Sequence, residues 1–232
     1  MEIYLLRHGT TEWNARHQIQ GGSNIPLDQL GEEMARETGV ELIRLGIFFD
    51  RVFSSPLSRA LATARLACPY QEPEADEHLR ELNFGPFEGR TVKEMTGDPT
   101  CAFRYFKVNP ARYDFEVRLL QNQPGKKVPE SLTELCRRAS AFIEEKIDPL
   151  VRDSSARRIL ISGHGAMNKA LLMAFQKKTD LRSFWGKGLQ DNCGITLIKA
   201  SAGKDGSVLY QSDETSLTYY PEALKAKISS LL

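Results

Sequence analysis

The chain carries almost no excess of charge. Its 31 basic and 30 acidic side chains leave a formal net charge of +1 across 232 residues. No global field is available to hold nucleic acid or an anionic bilayer, and an anion site has to be built locally. Long apolar runs are also missing. The longest, Ala170 to Phe175, is six residues, far short of the about 18 that cross a bilayer, so no membrane association is expected. The segment Met1-Glu2-Ile3-Tyr4 has no basic stretch leading into an apolar one, and no secretory signal is expected. Cysteine is sparse: Cys68, Cys101, Cys136 and Cys193 lie far apart without short paired spacing, which offers no zinc framework and fits a reducing compartment, the cytoplasm. Internal repeats, low-complexity tracts and Gly/Ser-rich linkers are absent, so nothing marks a domain boundary.

What is present is an ordinary globular composition, 41% hydrophobic and 26% charged, enough to bury a core without staples. At about 150 residues per domain, the length fits one large domain over residues 1–232 with an insertion. Ile3-Tyr4-Leu5-Leu6 is a short apolar run that stops at Arg7-His8-Gly9, which predicts a buried first strand with polar residues at its end. Leu30, Met34, Leu42 and Leu45 recur at helical spacing between Asp28 and Gly46, predicting a capped helix over 28–45. Arg51-Val52-Phe53-Ser54 reads as a second strand. It leads through Ser55-Pro56, with the proline suited to a first helical turn, into a helix from Leu57 to about Ala67.

Residues 70–130 carry the proline and glycine punctuation Gly85-Pro86, Gly97, Pro99, Pro110 and Pro124-Gly125 and are expected to be the least regular part, an insertion. Ser131-Leu132-Thr133-Glu134 is a capping-box pattern, after which Leu132, Leu135, Cys136, Ala139, Phe142, Ile143 and Ile147 trace one helical face. Ile159-Leu160-Ile161 is a further strand ending in Ser162-Gly163-His164-Gly165, and helical spacing resumes through Leu171, Leu172 and Phe175. Apolar segments at Gly194–Lys199 and Val208-Leu209-Tyr210 complete a sheet before an amphipathic tail, Pro221–Leu232. Alternating strands and helices predict an α/β fold, a three-layer α/β/α sandwich around a mainly parallel sheet.

In such sheets ligands collect at the carboxyl ends of the strands. Those ends here present Arg7-His8-Gly9, Ser54-Ser55 leading to Arg59, and Ser162-Gly163-His164. Two arginines and two histidines suit a compact dianion, because guanidinium forks match phosphate oxygens. No histidine pair has metal-ligand spacing, and no metal is expected. His17 and His78 match no motif and are expected to be exposed.

Arg7-His8-Gly9-Thr10-Thr11-Glu12-Trp13-Asn14 resembles the signature of the histidine phosphatase superfamily, also called phosphoglycerate mutase-like. The resemblance continues through Gln20-Gly21, Pro26-Leu27-Asp28-Gln29-Leu30-Gly31, Ser54-Ser55-Pro56-Leu57-Ser58-Arg59-Ala60, Glu81-Leu82-Asn83-Phe84-Gly85 with Glu88-Gly89, and Ser162-Gly163-His164-Gly165. Ordered blocks of this kind seldom arise by chance, and they cover most of the chain outside residues 95–130. The resemblance implies a phosphoglycerate mutase-like fold with an irregular helical insertion, about residues 90–130, lying over the active site as a lid. It implies His8 as a nucleophile that becomes phosphorylated, with Arg7, Arg59 and His164 as the phosphoryl clamp. Asn14, Gln20, Gly21 and Gly165 correspond to further phosphate contacts, and Glu81 to the general acid, with Glu88 the rival carboxylate. Such a scheme needs no cofactor.

The expected partner is a small phosphomonoester, and, as in many relatives, the expected assembly is a homodimer. A cofactor-dependent phosphoglycerate mutase normally follows its acid glutamate with Arg-His-Tyr-Gly, whereas this chain has Leu82-Asn83-Phe84-Gly85. Loss of those cationic and hydroxyl handles favours transfer to water, hence a phosphatase. The alternatives are the mutase itself and a member that binds phosphorylated ligands without turnover. Phe103, Tyr105, Phe106, Tyr113 and Phe115, interleaved with Arg104, Lys107 and Arg112, either line the substrate mouth or pack a small core of the insertion. Packing is the expected role.

Overall fold

The computed structural model describes residues 1–122 and 128–229. Residues 123–127, which include Pro124-Gly125 of the expected lid, and residues 230–232 of the expected tail lie outside the described residues. The strands are β1 (Glu2–Arg7), β2 (Arg51–Ser54), β3 (Glu74–Ala75), β4 (Arg158–Gly163), β5 (Gly194–Ala202), β6 (Val208–Gln211) and β7 (Ser216–Thr218). They form one sheet in the order β3-β2-β4-β1-β5-β6, with β7 also paired to β5. The β3-β2-β4-β1 half is parallel, and β5 turns the sheet antiparallel against β1, β6 and β7. The helices are α1 (Glu12–Ala15), α2 (Gln29–Arg44), α3 (Ser58–Ala67), α4 (Val92–Gly97), α5 (Pro110–Gln121), α6 (Leu132–Phe142), α7 (Asp148–Arg152), α8 (Gly165–Phe175) and α9 (Glu222–Ser229). None of the described helices is long and apolar enough to cross a membrane.

Both faces of the sheet are covered, as the apolar runs in β1 and β4 require, because successive side chains on a strand point to opposite sides. Ile3, Leu5, Phe53, Ile159, Ile161 and Ile198 enter one core with Leu135, Phe142, Leu171 and Phe175 of α6 and α8. Tyr4, Leu6, Val52, Leu160 and Ile195 enter the other with Met34, Leu42, Ala64 and Ala67 of α2 and α3. The capping box of α6 forms as predicted: Ser131 Oγ accepts from Glu134 N and the Glu134 carboxylate accepts from Ser131 N. α6 then widens into a π turn over Ile143–Ile147 and continues as α7, whose Pro149 supplies no N–H to the helical ladder.

Two local expectations change, and a third gains detail. Pro56 stands outside α3, which begins at Ser58 after Leu57. The insertion, expected to be irregular and helical, contains α4 and α5. Both carry start signals in the sequence, a Thr91/Glu94 capping box and Asn109 capping a helix with Pro110 at its first position. The short strands β3 and β7 have too few residues to show a period and were not anticipated. The aromatic residues of the insertion mostly pack on one another. Phe103, Phe106 and Tyr113 are buried, and Phe106 meets Phe84 at 5.0 Å, Tyr113 at 5.0 Å and Trp185 at 5.1 Å between ring centroids. Tyr105 lies under the Arg104 and Arg112 guanidiniums, and Phe115 is exposed.

One packing contact fixes the loop after β1. Asp28, the N-cap of α2, accepts from Gly31 N and from Thr10 Oγ1, both at 2.7 Å, and its own N–H donates to Thr10 O at 3.1 Å. The loop and the helix start come so close that a Cβ on Gly31 would lie 2.2 Å from Thr10 O, and one on Gly9 would lie 2.5 Å from Gly31 O. Backbone meets backbone there, so neither side can yield cheaply. Gly31→Ala is therefore expected to cost about 2 kcal/mol, read as a lower urea midpoint at unchanged m-value. An unaltered midpoint would contradict this packing.

Candidate active site

β2, β4 and β1 are neighbours and parallel, so their carboxyl ends open on one edge of the sheet. Arg7 closes β1 and His8 follows it, Ser55 follows β2 and leads to Arg59 in the first turn of α3, and His164 stands between β4 and α8. The ladder continues past the strand ends, with His8 N donating to Gly163 O at 3.1 Å and Ser55 N to Ser162 O at 3.0 Å. The rings of His8 and His164 are thereby held with centroids 5.2 Å apart. His8, Arg59, Glu81 and His164 are all buried.

His8 is held in one tautomer. Its Nδ1 lies 2.6 Å from Gly9 O. A carbonyl can only accept, so Nδ1 carries the proton and Nε2 keeps its lone pair. Burial, together with the Arg59 and Arg7 guanidiniums, pulls its pKa well below the ordinary imidazole value, so the ring is neutral at physiological pH. Asn192 Nδ2 donates to His8 O at 2.9 Å and to Gly9 O at 3.1 Å, and Gly9 N donates to Thr63 Oγ1 at 3.0 Å. These contacts pin the backbone on both sides of the ring. His164 is neutral for the same reasons, burial first and then the cations Arg59 and Arg7. Neither of its ring nitrogens has a hydrogen-bond partner among the described residues.

The two arginines are anchored differently. Arg7 donates through Nη1 to Gln190 O and leaves its buried Nε unpartnered. Arg59 is wholly buried and braces the loop beside it, Nη1 donating to Ser23 O and Nη2 to Gly21 O, each at 2.8 Å. Burial pushes its pKa down to about 10, which leaves it cationic at neutrality. The Gln20 amide completes this brace. With its oxygen toward the guanidinium, it accepts from Arg59 Nε at 3.0 Å, and its nitrogen donates to Thr11 Oγ1 at 2.7 Å. Thr11 Oγ1 in turn donates to Asn14 Oδ1 at 3.1 Å, which leaves Asn14 Nδ2 as the free donor of that side chain. Gln20 and Gly21 thus meet Arg59 directly. Gly165 lies between the Glu81 carboxyl and the Arg7 guanidinium, since a Cβ there would be 3.6 Å from Glu81 Oε2 and 3.9 Å from Arg7 Nε.

Glu81 sits on the start of α8. Its Oε2 accepts from Ala166 N at 3.0 Å, and its Oε1 accepts from Met167 N at 2.9 Å and Leu82 N at 2.8 Å. It serves as the cap that His164, which makes no capping bond, does not provide. Burial raises its pKa above the usual carboxylate value, while the N–H donors and Arg59 oppose the rise. The rival Glu88 has a different task. Its carboxylate accepts from Gly22 N at 2.8 Å, Ser23 N at 2.8 Å and Phe84 N at 3.0 Å, tying the Gly21–Ser23 loop to the Glu81 segment. Glu77 is exposed beside Arg80, and Glu94 caps α4. Glu81 is therefore the nearby carboxylate that joins the cluster. A cavity of about 960 Å³ runs from Glu81 past Arg80, Asn83, Arg137 and Arg138.

No motif or spacing in the sequence marks Thr63, Arg138, Gln190 or Asn192. They act through backbone groups, and only the polar run Gln190-Asp191-Asn192, ahead of an apolar strand, hinted at a loop with a task. His17 is exposed as expected. His78 is only partly so, with Nδ1 2.9 Å from Asp76 Oδ1.

The pattern of these loops recurs in known proteins. The model of the histidine phosphatase superfamily (branch 1) matches residues 3–213. A probable phosphoglycerate mutase GpmB of Yersinia pestis (strain Pestoides F) is 30% identical over 177 residues, which span 74% of this chain and 73% of the relative. Among solved structures, Bacillus stearothermophilus YhfR superposes with a TM-score of 0.75 at 25% identity, over 94% of this chain and 98% of that one. A phosphoserine phosphatase from Entamoeba histolytica in complex with 3-phosphoglyceric acid gives 0.68 at 25% identity, over 92% and 97%. The matched span holds the sheet edge that gathers Arg7, His8, Arg59, Glu81 and His164, and the chain belongs to the histidine phosphatase superfamily, branch 1.

Proposed function

We propose that the chain is a phosphomonoesterase for small phosphorylated metabolites, working through a phosphohistidine on His8. One observation carries the reading. His8 is neutral and buried, its Nδ1 proton is bound to Gly9 O, and its Nε2 is free within a cluster of fixed cations. In the first step Nε2 attacks phosphorus, the phosphorus–oxygen ester bond breaks, and the leaving alkoxide takes the proton of Glu81. In the second, ionised Glu81 takes a proton from water, the resulting hydroxide attacks the phosphohistidine, and inorganic phosphate leaves with His8 restored. Arg7 through its unpartnered Nε, Arg59 through the Nη2 hydrogen not bound to Gly21, His164 through its unengaged ring N–H and Asn14 through Nδ2 would hold the phosphoryl oxygens. No metal or cofactor enters these steps. The cytoplasm and a homodimer complete the proposal.

The second reading is a phosphoglycerate mutase, favoured by the name of the Yersinia pestis relative. What supports hydrolysis instead is the stretch after Glu81. Leu82 and Phe84 are buried in the core, which leaves Asn83 as the exposed side chain of that stretch. Fewer groups are then available to retain a carboxylated product while it reorients. Incubation with 3-phosphoglycerate and 2,3-bisphosphoglycerate is expected to release inorganic phosphate. Accumulation of 2-phosphoglycerate without phosphate release would decide for the mutase.

His8→Ala is expected to lose turnover of 4-nitrophenyl phosphate and to lose the acid-labile phosphoryl adduct trapped in wild type. His164→Ala, which removes one donor to the transferring group, is expected to lower kcat/KM by about 10²-fold or more. Retained turnover in His8→Ala would sink the assignment. The pH dependence follows from the two shifts. The active form needs His8 neutral, which fails as pH falls through its lowered pKa, and Glu81 protonated, which fails as pH rises through its raised pKa. A bell-shaped kcat/KM profile is expected for an alkyl phosphate, with the alkaline limb lost in Glu81→Gln. An alkaline limb that survives in Glu81→Gln would remove Glu81 from the acid role.

A further inference from the structure

Glu81 has to present its carboxyl from a stretch with no regular hydrogen-bond ladder. Residues 80–84 follow a 3-10 turn at Glu77–Leu79, and among the described residues no strand pairs with them. Backbone groups left this way are satisfied from outside or not at all. Here a single side chain of α6 satisfies two of them, together with the carbonyl of His78 just before the stretch. Arg138 Nη1 donates to His78 O at 2.7 Å and to Arg80 O at 3.0 Å, and Nη2 donates to the carbonyl of Glu81 itself at 3.4 Å. The same guanidinium is squared against Glu130, with Nε to Oε1 at 2.8 Å and Nη2 to Oε2 at 2.9 Å. Glu130 then grips the far end of the stretch, its Oε2 accepting from Asn83 N at 3.1 Å and its N–H donating to Asn83 O at 2.7 Å.

A guanidinium has five N–H donors in a fixed planar fork and no acceptor. All five are engaged here by protein oxygens, so Arg138 has none left for a ligand, although it lines the cavity that opens on Glu81. Its effect has to pass through the residue whose backbone it holds. We propose that Arg138, locked by Glu130, is a positioning residue that fixes the backbone of Glu81 so that its carboxyl stands between the start of α8 and the leaving oxygen. This inference rests on the general-acid reading of Glu81. A lysine cannot replace the fork, because one ammonium cannot reach three carbonyls and a carboxylate in a plane at once.

The leaving group separates this role from simple structural support. An alkyl phosphate such as 2-glycerol phosphate needs a proton on its leaving oxygen, whereas 2,4-dinitrophenyl phosphate departs without one. The experiment measures kcat/KM on both substrates, with thermal unfolding of each protein, for wild type, Glu81→Gln, Arg138→Ala, Arg138→Lys and Glu130→Gln. Arg138→Ala and Arg138→Lys are expected to lose about 10²-fold on 2-glycerol phosphate and to stay near wild type on the dinitrophenyl ester, following the pattern of Glu81→Gln. If Arg138→Ala does not fold, Arg138→Lys and Glu130→Gln carry the same comparison. Equal losses on both substrates in the Arg138 variants, with Glu81→Gln still selective, would overturn the positioning role alone. Equal losses in Glu81→Gln would overturn the acid reading and this proposal with it.

Discussion

The hydrogen bond from His8 Nδ1 to Gly9 O is the contact on which the rest depends. It is local, between adjacent residues, yet it decides which ring nitrogen keeps a lone pair. Everything around it holds that geometry. The β1–β4 ladder fixes His8 N on Gly163 O, Asn192 fixes the carbonyls of His8 and Gly9, Thr63 fixes Gly9 N, and the start of α2 packs against the loop without room for a single added carbon. In the proposed phosphoryl transfer, a ring fixed this way gives up little motion when it reacts, which is what positioning contributes.

The electrostatics follow from burial. Two arginines lie beside two imidazoles in a place water hardly reaches, so the imidazoles remain uncharged and the arginines supply the positive field. Glu81 places a buried carboxyl on the N-terminal end of α8, where it borders the gap beside Gly165. A net protein charge of +1 is no obstacle to binding a dianion, because the cations act at short range in a low-dielectric site.

Much of this was legible in the sequence. The apolar runs of β1 and β4 stop at Arg7-His8 and at Gly163-His164, and parallel neighbours bring such ends together, so the meeting of the two histidines followed from pattern and topology. The caps Asp28 and Ser131 fixed the starts of α2 and α6. α4 and α5 were obscured by the prolines and glycines that flank their caps, and β3 and β7 by their length. Least legible were residues that work through backbone groups. Arg138 reads as one of two arginines on a helix, Asn192 as part of a turn, and Glu88 as a rival acid. Their partners are main-chain atoms far away in sequence, which no spacing rule encodes.

The most direct measurement is a nitrogen-15 correlation spectrum of the histidine rings as a function of pH. His8 is expected to be neutral at pH 7 with its proton on Nδ1, and to stay so as pH falls below the value at which free imidazoles titrate. A charged His8 ring at pH 7, or a proton on Nε2, would contradict that assignment.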